Sequence, residues 1–552
     1  MKNSIFIIAL LILFSCNKED FKGTFSRSAF DHLDPLMRLS PLENLPVEEI
    51  LLIEEGWNFL GWDNSAGKNA SIPKPSEIEL IRLPHLIPYA NSNIWYSNKL
   101  VLDKGYLSIH ADDGAQLWIN GKQIFQNSVG VFPIENPSKE PADILIRVIN
   151  NAVSGGLTRV FWVNQDVLDD AINQHQKSIL LKLQKAKKDL WTGENLPDNW
   201  EDYPIWFNDP VIFPKGDDSL MVRWSGEQNV KAKLHFGHEP KMVLTTVDLL
   251  EENGIYSAMV PFKKCQYFYF EMKNTVSPLF KVESNSKTKS TAFSVWADSQ
   301  GGWDIFAKIL QKMKIQNPEF TVGVGDLVGN GRNSWEYVRL QNELHQLPVP
   351  HYLLAGNHDY DGSYNNWTPE NFNFYLKNSN EKNYQFWKKG PCAFIALDPN
   401  ENFPIGIEKG SEQFDWFQKT IITEDWANAP WKIIFVHQPP FSQGWKGYQG
   451  EKSIQELLQT YWESGQIDLV ISGHTHDYER LILKHQNGKT AFLILGGAGG
   501  KLENVNNMEE LPKMDKIFRT HHFGMIKASA NALEFEAIDI NGQVIDSFIL
   551  RK

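Results

Sequence analysis

Three cysteines in 552 residues are too few for a disulfide framework, and no two of them form a CxxC pair for metal or redox work. Cys265 and Cys392 stand in apolar, strand-like text and are expected as buried thiols. Basic charge is scarce as well: 54 Lys and Arg against 67 Asp and Glu leave a formal net charge of −13. That sign excludes a broad attraction for nucleic acid. The glycine-rich run 496–500, GGAGG, lacks the Lys-Ser/Thr pair of a phosphate-binding P-loop and reads as a tight strand exit. Apolar stretches stay short. The N-terminal one, Ile5 to Phe14, is too short to span a bilayer comfortably and fits the core of a signal peptide, with Lys2 before it.

Directly after that run, Ser15-Cys16 closes "LFSC", which resembles the bacterial lipobox, in which the cysteine becomes the acylated N-terminus. The resemblance implies a signal peptide over 1–15, a lipidated Cys16, and a tether over 16–48. It implies an outer-membrane lipoprotein, periplasmic or surface-exposed, held by more than one acyl chain, as stable anchoring requires. Residues 17–20, NKED, resemble the acidic export tags of some surface lipoproteins; a solvated charged tether would read the same way.

At roughly 150 residues per domain the length suggests three or four domains. Residues 49–165 alternate apolar and polar positions between turn signals, Asp113-Gly114 and Asn120-Gly121 among them, which is the pattern of a β-sandwich. Leu83-Pro84-His85, Trp95-Tyr96 and "DDGAQLWING" resemble the galactose-binding-like jelly roll found in glycoside hydrolase family 2 and related carbohydrate modules. That likeness implies the fold and admits a glycan ligand; Trp118 and Asn120 read first as packing and turn residues. Over 166–195, Leu168, Ile172, Ile179, Leu183, Ala186 and Leu190 fall on one helical stripe, with a lysine-rich face expected in solvent. Residues 196–288 return to strands. "VKAKLHFG" and "QYFYFEM" resemble strands of the fibronectin-III-like domain that precedes the catalytic domain of purple acid phosphatases.

From 289 to 552, short apolar runs alternate with helical patterns, which implies a layered α/β core. Polar clusters fall at the C-terminal ends of these strands, where open α/β sheets place their sites. Five ends carry metal-ligand residue types: Asp298 and Gln300; Asp326; Asn357 and His358; His437; and His474 with His476. Five such clusters in one block are hard to explain by packing alone.

The series D-x-(H/Q), G-D, G-N-H-(D/E), H and G-H-x-H resembles the calcineurin-like metallophosphoesterases, and "GHTHDYER" with the upstream sandwich resembles their purple-acid-phosphatase-like branch. The resemblance implies a four-layer α/β domain and a phosphatase or phosphodiesterase with two divalent metals, Mn, Zn or Fe. A metal-bound hydroxide would be the nucleophile on a phosphate ester substrate. Asp326 would bridge. One metal would take Asp298, Asp326, His476 and Gln300, the other Asp326, Asn357, His437 and His474. His358 would protonate the leaving group, with Asp359 orienting it or forming a turn. Residues two apart in an extended segment point the same way, so His474 and His476 are expected to reach the same metal pair. Asn330 and Arg332 are candidates for gripping phosphate, or for a turn and a surface residue.

Two departures stand out. Gln300 replaces the usual histidine with a weaker, neutral ligand. Gly329 stands where purple acid phosphatases carry the tyrosine that colours them, which implies a colourless protein. An alternative stays open: a catalytically inactive surface lipoprotein that binds glycan through its N-terminal sandwich.

Overall fold

The computed structural model describes residues 24–552, apart from 43, 64–77, 90, 112, 128–129, 152–153, 194, 217, 284–288, 363–367, 378–380, 446 and 504–512. The signal segment and Cys16 lie outside the described residues. Among the described residues no helix is long and apolar enough to cross a membrane.

Residues 50–164 fold as two facing antiparallel sheets, one of five strands and one of six. Their inner faces share a core that includes Trp57, Tyr96, Leu107, Leu117, Phe132 and Ile146. Of the two turn signals, Asn120-Gly121 is a hairpin, joining the paired strands Gly114–Ile119 and Lys122–Ile124 through positive φ at both residues. Asp113-Gly114 is not. Strand Gly105–Ala111 belongs to one sheet and Gly114–Ile119 to the other, so the chain there crosses between sheets.

The helix Gln165–Leu190 starts at Asn164, whose side chain accepts the N–H of Asp166. Its lysine face is not wholly solvated: Lys187 is buried, 2.9 Å from Glu227 and donating to the carbonyl of Glu201. An unpaired buried ammonium would be costly, so the pair fixes where the helix lies on the second sandwich. The expected tether is packed from residue 24 onward. Phe25 bridges to Trp191, and helix Phe30–Met37 sets Asp34 between Trp335 and Arg339, at 3.1 and 3.0 Å. Phe30 stacks on Trp335. The apolar residues here are few but large, which is why composition alone suggests a linker.

The second sandwich spans Val211 to Lys281 in sheets of four and five strands, around Trp224, Tyr256 and Phe270. Cys265 and Cys392 are both buried, and burial pushes the Cys265 thiol up to about 12.

The C-terminal domain has four layers. A six-stranded sheet and a seven-stranded sheet face each other across a core that includes Phe293, Val295, Phe394, Phe435 and Leu469. Helices Trp303–Gln316 and Ser334–Leu344 cover the outer face of the first sheet; Glu412–Thr420 and Lys452–Glu463 cover that of the second. In the first sheet, Ser290–Trp296, Phe320–Val324 and His351–Leu354 run parallel. In the second, Cys392–Leu397, Trp431–Val436, Leu469–Ser472 and Gly488–Leu495 do the same. Both sheets present C-terminal strand ends at one common edge.

His351, buried at the start of its strand, contacts the Leu347 carbonyl at 3.0 Å. Burial pushes its pKa down to about 4, against the partly restoring bond to Leu347. A histidine depressed on folding contributes stability that is complete above its unfolded value near 6.5. That stability is lost as pH falls from there through about 4, because the unfolded chain takes up the proton first. The loss should amount to about 3 kcal/mol. Urea melts at pH 7 and 4.5 should show it, and His351→Gln should flatten that part of the profile.

Candidate metal centre

Each candidate ligand follows a parallel strand. Asp298 follows Ser290–Trp296, Asp326 follows Phe320–Val324, and Asn357 follows His351–Leu354 in the first sheet. His437 follows Trp431–Val436, and His474 and His476 follow Leu469–Ser472 in the second. The site is thus assembled at the joint edge of two sheets, with candidate ligands Asp298, Gln300, Asp326 and Asn357 from the first and three histidines from the second.

Backbone strain marks the place. Among the described residues, ten non-glycine residues have left-handed φ, and four are Asp298, Gln300, Asp326 and His474. Five of the other six are asparagines, which tolerate that region; glutamine and histidine enter it rarely. The glycines before the ligands are sterically required. A Cβ on Gly356 would lie 2.3 Å from Asp326 Oδ1, and one on Gly473 would lie 2.4 Å from Asp298 Oδ2.

The histidine tautomers are set by the backbone. His437 Nδ1 meets the Val324 carbonyl at 2.7 Å, and His476 Nδ1 meets the Lys501 carbonyl at 2.8 Å. Each ring therefore donates from Nδ1 and keeps a lone pair on Nε2. His437 Nε2 lies 3.2 Å from Asp326 Oδ2, and His476 Nε2 lies 3.7 Å from Asp298 Oδ1. His437 Nε2 and His474 Nε2 are buried without hydrogen-bond donors. A lone pair facing a carboxylate at 3.2 Å is repulsive unless a cation or proton lies between them. The titration behaviour agrees. Burial alone would lower His437, but Asp326 overrides it and lifts the ring to about 9. Burial works against ionising Asp326, yet His437 and His358 hold its carboxyl below the usual range. Burial, with the Asp326 charge behind it, pushes Asp298 well above that range. Asp326, His437 and His474 bring one ligand atom each within 4.8 Å of one another. The donor set of carboxylates, imidazoles and one amide fits divalent metal.

His474 and His476 reach different carboxylates, but not as neighbours in an extended strand. His474 sits at φ 76° just past the strand end, and its backbone N–H donates to Asp298 at 3.0 Å. The left-handed φ at His474 breaks the extended backbone between the strand end and His476. Trp445 and Tyr448 flank His474 at ring-centre distances of 4.9 and 5.7 Å. Gln300 donates its amide Nε2 to Asp326 Oδ2 at 2.8 Å, so rotation of that amide is needed before its oxygen can ligate.

His358 is held by Asp361, not by Asp359. Its Nδ1 is 2.9 Å from Asp361 Oδ2, and its Nε2 is 4.0 Å from Asp326 Oδ2. The one-turn helix His358–Tyr360 brings the residue three places on beside the ring. Asp359 is buried and accepts from the N–H of Gly356 and Leu327 and from the Tyr337 hydroxyl, so it staples two ligand loops together. Asn330 caps a local turn by accepting the Arg332 N–H, and the Arg332 guanidinium is paired with Glu370 at 3.0 Å. The turn-and-surface reading fits that pair better than a phosphate grip. Glu479 accepts from Ser442 and the Gln443 N–H, bracing the 442–444 loop, and Arg480 pairs with Asp546. Sequence reasoning passes over Gln438, whose amide bridges Asn357 Oδ1 and Asn400 Oδ1 at 3.2 and 2.7 Å, and over Asp113. Asp113 comes from the N-terminal sandwich and gathers with His358 and Asp361.

Residues 293–478 match the family model of the calcineurin-like phosphoesterases. A protein described as probable inactive purple acid phosphatase 27, from Arabidopsis thaliana, is 27% identical over 280 residues, 43% of this chain and 44% of that protein. A nucleotide pyrophosphatase/phosphodiesterase from Hordeum vulgare is 26% identical over 282 residues, 43% of this chain and 73% of that protein. The chain spans less than half the length of the first curated relatives, 44% and 42%. Among solved structures, a purple acid phosphatase from yellow lupin (Lupinus luteus) seeds shares the fold, with a TM-score of 0.52 at 15% identity, over 83% of this chain and 92% of that one. The C-terminal part of this chain is a calcineurin-like metallophosphoesterase domain with purple-acid-phosphatase-like homologues.

Proposed function

We propose that the chain is an extracytoplasmic, metal-dependent hydrolase of phosphoric esters, a phosphatase or phosphodiesterase with a dinuclear centre. The observation that carries this reading is the convergence of Asp298, Asp326, His437, His474 and His476 at one edge, with acceptor atoms facing each other unshielded. Asp298, Asp326 and His476, with Gln300 after rotation, would hold one ion; Asp326, Asn357, His437 and His474 would hold the other. Bound there, a metal pair supplies Lewis acidity and an activated water for in-line displacement at phosphorus. The protein's own part is proton delivery. Burial would strip the proton from His358, but Asp361 and Asp326 outweigh it and raise the ring well above its ordinary value. With Nδ1 fixed by Asp361, the Nε2 proton is the one available to the leaving oxygen. Acylation of Cys16 would keep the enzyme on a bacterial outer membrane, facing the periplasm or the exterior.

Hydrolysis of p-nitrophenyl phosphate and bis-p-nitrophenyl phosphate tests the reading, using the chain from residue 17 loaded with Mn, Zn or Fe(II). Turnover of either ester is expected. Asn357→Ala should cost more than the roughly 10–100-fold typical of outer-sphere partners of a metal. A second reading rests on Gln300, whose amide donor rather than its oxygen faces Asp326: a surface protein that binds glycan and has lost turnover. Metal uptake without hydrolysis of either ester would favour it.

A further inference from the structure

Three hydrogen bonds connect the Asn357 amide to Asp398. Asp398 follows the buried strand Cys392–Leu397 and is itself fully buried. Gln413 pins its main chain, accepting its N–H and donating to its carbonyl, each at 2.8 Å. Asp398 Oδ1 accepts the backbone N–H of Asn400 at 3.0 Å, and the Asn400 side-chain amide meets the same oxygen at 3.1 Å. A backbone N–H can only donate, so that oxygen is an acceptor and Asn400 must offer it Nδ2. The Oδ1 end of Asn400 is then left for Gln438, which must answer with Nε2, at 2.7 Å. The same Nε2 reaches Asn357 at 3.2 Å, so the end of Asn357 turned to it is Oδ1.

The relay lies inside the protein: Asp398 and Gln438 are fully buried, and Asn357 and Asn400 are 2% and 4% exposed. Reversing any one of the three amides would set oxygen against oxygen or N–H against N–H out of reach of bulk water. The arrangement is kept at a cost, because Gln438 Oε1 is buried with no hydrogen bond among the described residues. The reason lies in the asymmetry of an amide. Only its oxygen ligates a metal, and that oxygen has two lone pairs, so one can take the Gln438 N–H while the other serves a cation. We propose that Gln438 is a positioning residue of the metal centre, keeping Oδ1 as the ligating end of Asn357, with its own sense fixed by Asn400 and Asp398. The inference rests on Asn357 being a metal ligand, as proposed above.

The test is zinc affinity, measured by competition with a chromophoric chelator on the chain from residue 17, together with thermal melting. Gln438→Leu should weaken one of the two ions by about tenfold or more and leave the other unchanged. Asn400→Leu, which leaves His437 and Gln438 in place, should weaken the same ion by a smaller factor. Added to Gln438→Leu it should cost no further affinity, because it acts through Gln438. Tyr360→Phe removes the hydroxyl that donates to Asp398 Oδ2, the other carboxyl oxygen. It should lower the metal-free melting temperature and leave both affinities unchanged. Wild-type affinities in Gln438→Leu or Asn400→Leu, or additive losses in the double variant, overturn this inference alone, provided Asn357→Ala weakens one ion. Loss of both ions in Gln438→Leu or Tyr360→Phe would mean a general loosening of the site and also overturn it. Unchanged zinc binding in Asn357→Ala, or no uptake by the wild type, removes the ligand set itself and the inference with it.

Discussion

His358→Ala is expected to slow hydrolysis of a simple alkyl phosphate by about 10²–10⁴-fold while affecting the p-nitrophenyl ester far less. The difference is the signature of a proton donor. An alkoxide is a poor leaving group and needs a proton as the bond breaks; nitrophenolate leaves without one. The geometry makes His358 the candidate because Asp361 fixes Nδ1 at 2.9 Å and leaves Nε2 on the side of Asp326, 4.0 Å away. Asp361→Asn should give a smaller loss with the same dependence on leaving group, since it weakens the hold on the proton without removing the ring. Measuring kcat and KM for both esters separates the cases. An equal loss on the two esters would mean that His358 binds phosphate and does not deliver a proton.

Metal binding should stabilise the fold by about 2.7 kcal/mol for each ion at a free concentration a hundredfold above its Kd. Two ions together would contribute about 5 kcal/mol on the same basis. Without them the site works against the fold. Asp298 is fully buried, its carboxylate accepts the His474 N–H, and the charge of Asp326 stands nearby. Asp298→Asn keeps the acceptor and removes the cost of burying an ionisable carboxyl. Its melting temperature in chelator should therefore exceed that of the wild type, and its rise on adding metal should be smaller. That crossing of signs is the mark of a site kept for function at a cost in stability. Parallel melting curves in chelator and in metal, with no crossing, would argue that Asp298 is a structural acid.

The candidate ligands could be picked out because metal chemistry admits few residue types and the α/β sheet admits few places to put them. Asp298, Asp326, Asn357, His437 and His474 could be read as strand-end residues from the apolar runs before them. Geometry finer than that was not. His474 and His476 look like strand neighbours on paper, yet His474 has left-handed backbone past the strand end, and nothing in "GHTH" announces a sign of φ. The sequence left Asp359 open as an orienting acid or a turn residue; the acid that meets the His358 ring lies two residues further on, because a one-turn helix favours the residue three places from His358, Asp361. Lys187 sits among other lysines, and only the second sandwich shows that it is the paired one. Asp113 is the clearest case. "DG" between apolar runs is a hairpin signal, and a contact across a domain boundary leaves no local periodicity to find.

The packing of residues 24–37 sets a height. With Cys16 as the proposed acylated residue, eight Cα steps separate the lipid from Thr24, and Phe25 is already bridged to Trp191. Eight extended residues reach at most about 30 Å. Helix Phe30–Met37 is in turn fastened to Trp335 and Arg339 of the C-terminal domain. If the proposed acylation and hydrolysis both hold, so short a leash would keep the chain close to the bilayer, and esters presented at that surface would have an advantage over those dilute in the bulk.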